Sequence, residues 1–282
     1  MSALELLSYD FIRNAVVVGL LASVLCGIVG TFVVVKRLVF LAGGVAHAAF
    51  GGLGVFYFLG ADPRIGAAAT AVLAGVALAN PGSSGASTAA RGRSRDALIG
   101  ILWAAGMALG VAFVARVPGY APNLMAYLFG DILAVSGLDV ALTAGVTVVV
   151  ALFFVLFFKE SVAVAFDEEY AAVQGVPVRR VRIVLMVLIA LAVVFLLQLV
   201  GLILVIALLT IPPVIALRLA TSFPAVVGWA IGIGAVMTQG GLALSYLYDL
   251  PSGPAIVLLG TALLLVVDLV GRGARRGRTL TE

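Results

Sequence analysis

One residue dominates the candidate chemistry of this chain: His47, the single histidine among 282 residues. It lies in the apolar run Lys36–Gly60, KRLVFLAGGVAHAAFGGLGVFYFLG. A neutral imidazole is the commonest protein ligand of transition metals, and an ionisable group inside an apolar span is by default a candidate functional site. The alternative is a buried polar side chain that hydrogen-bonds to a neighbouring helix. The residue type alone does not distinguish a functional ligand from a buried, hydrogen-bonded side chain.

The spacing around His47 predicts its position and its surroundings. A helix that starts at 36–37 would carry His47 about 15 Å along its axis, which is half of a ~30 Å hydrocarbon core. Gly43, Gly51 and Gly54 share its helical face. Because small residues let a second helix or an open pathway approach closely, the imidazole is expected to face protein or water. We predict that the three glycines line a pathway.

The composition indicates that these residues belong to a membrane protein. Hydrophobic residues make up 63% of the chain and charged residues 11%, whereas a soluble domain has about 25% charged residues. Apolar runs near twenty residues recur throughout, which predicts an all-α polytopic bundle. We predict one transmembrane domain at 1–270 and a basic cytoplasmic tail at 271–282. The net charge of +4 does not indicate nucleic acid, because the basic residues follow the membrane topology.

Nine spans are predicted, at about 13–35, 38–60, 64–80, 97–115, 138–158, 181–200, 201–220, 225–247 and 254–270. Eight is the alternative, since 181–220 is one apolar stretch that could hold a single broken segment. With the amino end outside and the carboxyl end cytoplasmic, 14 Lys and Arg residues lie inside and 3 outside, as the positive-inside rule requires.

Two adjacent prolines, Pro212 and Pro213, interrupt the pattern of the seventh span. Neither has an amide hydrogen, so carbonyls one turn earlier lose their partners. At membrane depth such backbone is tolerated only beside protein or a watery cavity. We therefore predict a break here and assign both prolines to a pathway or gate.

Three connections between spans carry further predictions. Residues 81–95 are expected to form a solvated basic loop. Residues 116–136 are expected to form an outer segment at the membrane interface, in which LMAYLFGDILAV is a candidate short helix. Asp131 is expected in water, with a pathway mouth as the alternative. Asp249 is expected to belong to a turn.

The segment 159–182 is too long for a simple connection and predicts a short helix. Asp167 is a plausible amino-terminal cap, Glu168 and Glu169 lie near the positive end of the helix dipole, and Gly175 ends the helix. Such a helix between two spans could be pushed by a soluble partner. The alternative is an ordinary amphipathic surface helix.

The outward groups of this segment predict how the partner would dock. Asp167, Glu169 and Tyr170 would contact the partner, while Arg179 and Arg180, with Arg182, would hold the segment at the lipid surface. The spacing Glu-x-Ala-x-x-x-Gly from 169 to 175 resembles the coupling loop of ATP-binding-cassette importer permeases. The residues that this resemblance assigns to coupling with the ATPase are Asp167, Glu168, Glu169, Tyr170, Gly175, Arg179 and Arg180.

Six motifs in order resemble the permease subunit of manganese, zinc and iron importers of the ATP-binding-cassette class. They are VVVKRLVFLAGGVAHAAFGG, RDALIGILWAAGMALG, YAPNLMAYLFGDIL, AFDEEYAAVQGVPVRRV, GLILVIALLTIPPVIALRLA and YLYDLPSGPAIVLL. The resemblance implies a divalent transition metal (Zn, Mn or Fe) as transported substrate and no permanently bound cofactor. It also implies a bacterial or archaeal cytoplasmic membrane.

The same resemblance implies partners. Two permease chains would pair as a homodimer, two copies of a separate ATPase would lie beneath, and an outer solute-binding protein would deliver the ion. The chain itself contains no GxxxxGK[ST] phosphate-binding loop, so it is expected to be a transporter subunit and not an enzyme.

The chain departs from its relatives near His47. Many relatives resemble G-D-A-x-S-H-A here, with an acid four residues before the histidine, a spacing that gives two ligands on one helical face. Gly43 and Ala46 replace the acid and the serine. His47 alone carries over, and a second ligand is expected from a paired chain, from water or from another span.

Two other functions compete with the importer. An ATPase-independent secondary transporter or exporter would need coupling acids within the bundle, and the spans offer few beyond Asp268. An intramembrane metalloenzyme would need a second nearby ligand or an H-E-x-x-H motif, which the sequence lacks.

Overall fold

The structure is a computed structural model that describes residues 9–80, 88–117, 130 and 132–278. Within these ranges the chain is helical and has no β-strand, which confirms the predicted all-α class. Residues 118–129 and Asp131 of the predicted outer segment lie outside the described residues. The helices are α1 (Asp10–Val35), α2 (Val39–Phe58), α3 (Pro63–Ala79), α4 (Thr88–Val114), α5 (Gly137–Leu156), α6 (Phe158–Phe166), α7 (Glu168–Val173), α8 (Val178–Val200), α9 (Leu202–Leu219), α10 (Phe223–Tyr248) and α11 (Ser252–Arg278), with a 3₁₀ turn at Ile132–Ala134.

Eight of the described helices are long and apolar enough to cross a membrane: α1, α2, α4, α5, α8, α9, α10 and α11. The stretch 181–220 contains two helices, separated at Gly201. Its φ of 79° and ψ of 162° are backbone angles that essentially only glycine adopts. The predicted span that is not among these eight is 64–80, which corresponds to the shorter apolar helix α3. Its 17 residues reach about 25 Å.

Three helices form the centre of the bundle. In the most apolar stretch of each helix, the share of buried residues is 67% in α1, 72% in α2 and 67% in α8. The corresponding share in α4, α5 and α11 is 17–22%. Helix α1 contacts α5, α9 and α10, and α8 contacts α2, α3 and α5. The helix that carries His47 is therefore among the most enclosed, and the outer helices keep apolar faces for lipid or for another chain.

Ion pairs join the ends of the helices. Lys36 and Arg182 both contact Glu168 at one end of the bundle, and Arg64 contacts Asp139 at 3.0 Å where α3 and α5 begin. These pairs place residues together that the predicted topology assigns to the same side of the membrane. Which side faces the cytoplasm stays a prediction.

Three helical segments lie outside the predicted helices. Helix α4 begins at Thr88, inside the predicted loop, because Ala and Arg are strong helix formers. Helix α6 fills 158–166, in a segment for which a single short helix was predicted. Helix α11 continues to Arg278, beyond its apolar part Ser252–Gly271, which matches the predicted span 254–270.

Candidate functional site

His47 is enclosed by protein, as its spacing predicts. Its side chain lies about 12 Å along α2, is 6% exposed, and stacks on the indole of Trp103 from α4. The ring centroids are 4.4 Å apart and the planes are inclined by 21°. The Nδ1 atom of His47 is buried and has no hydrogen-bond partner among the described residues. A buried ring nitrogen without a partner is costly, so this atom has an unused capacity to bind a ligand.

The glycine face of α2 is closed by α4. A methyl group built on Gly51 would lie 2.8 Å from the carbonyl oxygen of Gly106, and one built on Gly54 would lie 2.7 Å from that of Gly110. A methyl built on Gly43 would lie 3.1 Å from the Trp103 ring. Within this chain the three glycines therefore serve close helix packing. Their role in lining a pathway stays a prediction.

The described residues contain no group of three or more His, Cys, Asp or Glu side chains that could hold a metal ion. A cavity of about 290 Å³ lies nearby between α2, α3 and α4, lined by Ala48, Gly51, Gly52, Val55, Phe56, Thr70, Ile101, Leu102, Ala105, Gly106 and Leu109. The hydroxyl of Thr70, which belongs to this lining, donates a hydrogen bond to the carbonyl of Gly66. This lining suits apolar groups and offers no ligand set for a cation.

The predicted break at Pro212 and Pro213 is wrong, because α9 runs through both prolines. Proline lacks the amide that would bond four residues back, so Pro213 leaves the Leu209 carbonyl without its helical partner. The backbone of Gly30 in α1 packs here, and a methyl built on it would lie 2.6 Å from that oxygen. Close packing thus covers the irregular backbone. The pathway role of the two buried prolines stays a prediction.

The predicted cytoplasmic helix exists as α7, and its ends are fixed as predicted. Asp167 Oδ1 accepts hydrogen bonds from the amides of Glu169 and Tyr170, both at 2.9 Å. Gly175 adopts a φ of +81°, and the amides of Gly175 and Val176 donate to the carbonyls of α7 at 3.0 Å. This pair of bonds is a Schellman motif, which fixes the residue at which the short helix ends.

Glu168 faces the bundle, which the sequence did not predict. One carboxylate oxygen accepts from Lys36 Nζ at 2.9 Å, and the other accepts from Arg182 Nη1 at 2.6 Å. Burial alone would raise the pKa of this carboxyl. The hydrogen bond and charge of Lys36, followed by those of Arg182, outweigh burial and hold the pKa below its ordinary value of 4.5. Glu168 therefore anchors α7 to the end of α1 and the start of α8.

The opposite side of the segment is open. Glu169 is exposed, Tyr170 is 60% exposed and Val173 85%. Arg179 and Arg180 are also exposed at the start of α8. An apolar and acidic surface on a capped helix is suited to a protein partner. The structure thus separates the anchoring Glu168 from side chains that stay exposed.

Trp103 is the site residue that sequence reasoning missed. A tryptophan in an apolar span resembles any other packing residue. The one available signal is depth, since Trp103 and His47 lie at similar distances from the starts of their predicted spans.

Comparison with known proteins gives matches over nearly the whole chain. The model of the ABC 3 transport family matches residues 8–271. The manganese transport system membrane protein MntC of Halalkalibacterium halodurans is 32% identical over 92% of this chain and 87% of its own. The high-affinity zinc uptake system membrane protein ZnuB of Haemophilus influenzae is 30% identical over 94% of this chain and 98% of its own. The solved structure of PsaBC from Streptococcus pneumoniae in complex with Fab is 30% identical, with a TM-score of 0.80 over 94% of this chain and 93% of that one.

Proposed function

We propose a transport function from one premise: this chain belongs to the ABC 3 transport family. It is the multi-pass membrane permease of an ATP-binding-cassette importer, and its substrate is a divalent transition metal. The observation that carries the proposal is the match over nearly the whole chain to membrane proteins named for manganese and zinc transport. Manganese and zinc are the favoured substrates, and iron rests on the resemblance alone.

His47 is the proposed contact between the permease and the ion. The support is chemical: an imidazole nitrogen suits Mn²⁺ or Zn²⁺, and Nδ1 is buried without a protein partner. One imidazole binds a divalent ion weakly, which suits transport because the ion must also leave. A second permease chain, which we propose completes the pathway as a homodimer, or water would supply further ligands.

The α7 segment is the proposed contact with a separate ATPase. Three exposed side chains, Glu169, Tyr170 and Val173, form its docking surface. Helix α7 is held to α1 and α8 by Glu168, so a push on the docking surface would reach the membrane helices. An outer solute-binding protein would deliver the ion on the opposite side.

Uptake of radioactive manganese and zinc by cells that depend on this chain tests the role of His47. We expect His47→Gln to remove most of the uptake while the ATPase still co-purifies. Thr261→Val, an exposed hydroxyl on the outer helix α11, is the control and should transport normally. Wild-type uptake of both metals and of iron by His47→Gln would remove His47 from the pathway.

Co-purification tests the coupling surface. We expect Tyr170→Arg to lose the ATPase subunit and its ATP hydrolysis, because a cation replaces an exposed aromatic contact. Tyr246→Arg is the control, because Tyr246 is 58% exposed, close to the 60% of Tyr170, and lies near the other end of the bundle. A complex that survives Tyr170→Arg and still imports metal would contradict docking at α7.

A further inference from the structure

We propose that Trp103 controls the access of the transported cation to His47. The inference rests on the proposed function, in which His47 contacts the ion, and it concerns a residue with no assigned role. While the indole stays stacked, it covers one face of the imidazole and holds the ring in its buried place, and it must leave the stack before a ring nitrogen can turn toward the ion.

The first support is the order of the layers. His47 is 6% exposed, whereas Trp103, stacked directly on it, is 40% exposed. The indole therefore covers one face of the imidazole and is itself open to the surface of the chain. A ring nitrogen binds a cation in the plane of the imidazole, and the stack holds that plane within 21° of the indole plane. In this arrangement Nδ1 is buried.

The second support is the space around the indole. On one side, Gly43 leaves the volume that the ring uses, since even a methyl group there would lie 3.1 Å from it. One turn earlier on α4, a methyl built on Gly100 would have no heavy atom within 4 Å. Side chains on a helix lean over the preceding turn, so the open space at Gly100 is where the indole would move when it leaves the stack.

The third support is the absence of a competing ligand set. No cluster of three or more acidic, cysteine or histidine side chains occurs among the described residues. The cation would thus depend on His47 more than in a site with several ligands. Controlling the exposure of one imidazole would control binding within this chain.

The rate of chemical acylation of His47 tests whether the Trp103 ring limits access to the imidazole. His47 is the single histidine of the sequence, so diethyl pyrocarbonate modifies one imidazole when the full chain, in lipid nanodiscs, carries a histidine-free tag. Fragment masses of the peptide that contains His47 separate its modification from that of Tyr57 and give the rate. We expect Trp103→Ala to speed acylation on the order of tenfold, since a covered group reacts only through its open population.

Two control variants distinguish loss of the Trp103 ring from a general loosening of the chain. Trp103→Phe retains a ring and should react close to the wild-type rate. Trp229→Ala removes the other tryptophan, which is 52% exposed on α10, and should also leave the rate unchanged. A wild-type rate in Trp103→Ala would overturn the proposal, as would equal acceleration in Trp229→Ala, because general loosening would then explain the effect.

Protection by metal separates this inference from the proposed function. We expect MnCl₂ or ZnCl₂ to slow the acylation of Trp103→Ala more than that of the wild type, because the uncovered imidazole binds the ion more readily. If acylation accelerates but neither ion protects, ion binding at His47 is overturned, and Trp103 covers a residue outside the pathway. If both ions protect equally in every variant, His47 binds the ion and the control by Trp103 is overturned.

Discussion

Glu168 Oε1 lies 2.9 Å from Lys36 Nζ, and this contact ties the surface helix α7 to the turn between α1 and α2. Helix α2 begins three residues after Lys36 and carries His47. The two residues are 132 positions apart in the sequence. A displacement of α7 would therefore act on the helix of the candidate metal ligand through one half-buried ion pair.

Removing the charge of Glu168 should weaken this connection. We expect Glu168→Gln to lower stability by about 1–3 kcal/mol, because Lys36 and Arg182 lose a charged acceptor in a partly buried place. Cys26 is the single cysteine of the sequence and is buried, so a thiol-reactive dye measures unfolding. Glu169→Gln, the exposed neighbour, is the control and should unfold like the wild type.

A double-mutant cycle with Lys36→Met isolates the Lys36–Glu168 pair from that of Arg182. A coupling energy near zero would show that Arg182 alone holds Glu168.

The contribution of Glu168 should depend on pH in a defined direction. Its pKa is lowered in the folded chain from 4.5, so its stabilisation is fully present above that value and is lost as the pH falls through the lower folded pKa. We expect the stability difference between wild type and Glu168→Gln to be constant above about pH 5 and to shrink at lower pH. A difference that grows on acidification would contradict the lowered pKa.

The α2–α4 contact should not tolerate a side chain at Gly51. The backbone of Gly106 is too close for a methyl group at this position, and overpacking costs about 1–3 kcal/mol. We expect Gly51→Leu to lower the unfolding temperature in the thiol-dye assay and to disturb transport. Gly100→Leu places the same side chain in open space on α4, and equal destabilisation by both variants would argue against the close contact.

Restoring an acid at position 43 should require removal of the indole. An Asp at 43 and His47 would share one helical face as two ligands, but Trp103 fills the space over Gly43. We expect Gly43→Asp alone to destabilise the chain. Gly43→Asp with Trp103→Ala should bind Mn²⁺ or Zn²⁺ more tightly than the wild type in calorimetric titration.

The neutral pair Gly43→Asn with Trp103→Ala is the control for this gain and should bind more weakly than the acid. Tight binding by Gly43→Asp with Trp103 still in place would show that the ring does not obstruct the position.

Periodicity and local chemistry were enough to predict most of the helices. Long apolar runs have few alternatives to helices in a membrane, and Asp167 and Gly175 fix the ends of α7 through bonds to their immediate neighbours. The continuous path of α9 through Pro213 was not predictable, because Gly30 on a distant helix covers the freed carbonyl.

The sequence by itself determined that this is a helical membrane protein with one histidine, a glycine-rich face around it and a capped surface helix. These properties depend on residue type and spacing along one segment. Only the tertiary structure decided that Trp103 covers His47 and that Glu168 turns inward to Lys36. Those contacts join segments far apart in the chain, and their partners are set by how whole helices pack, which no local pattern encodes.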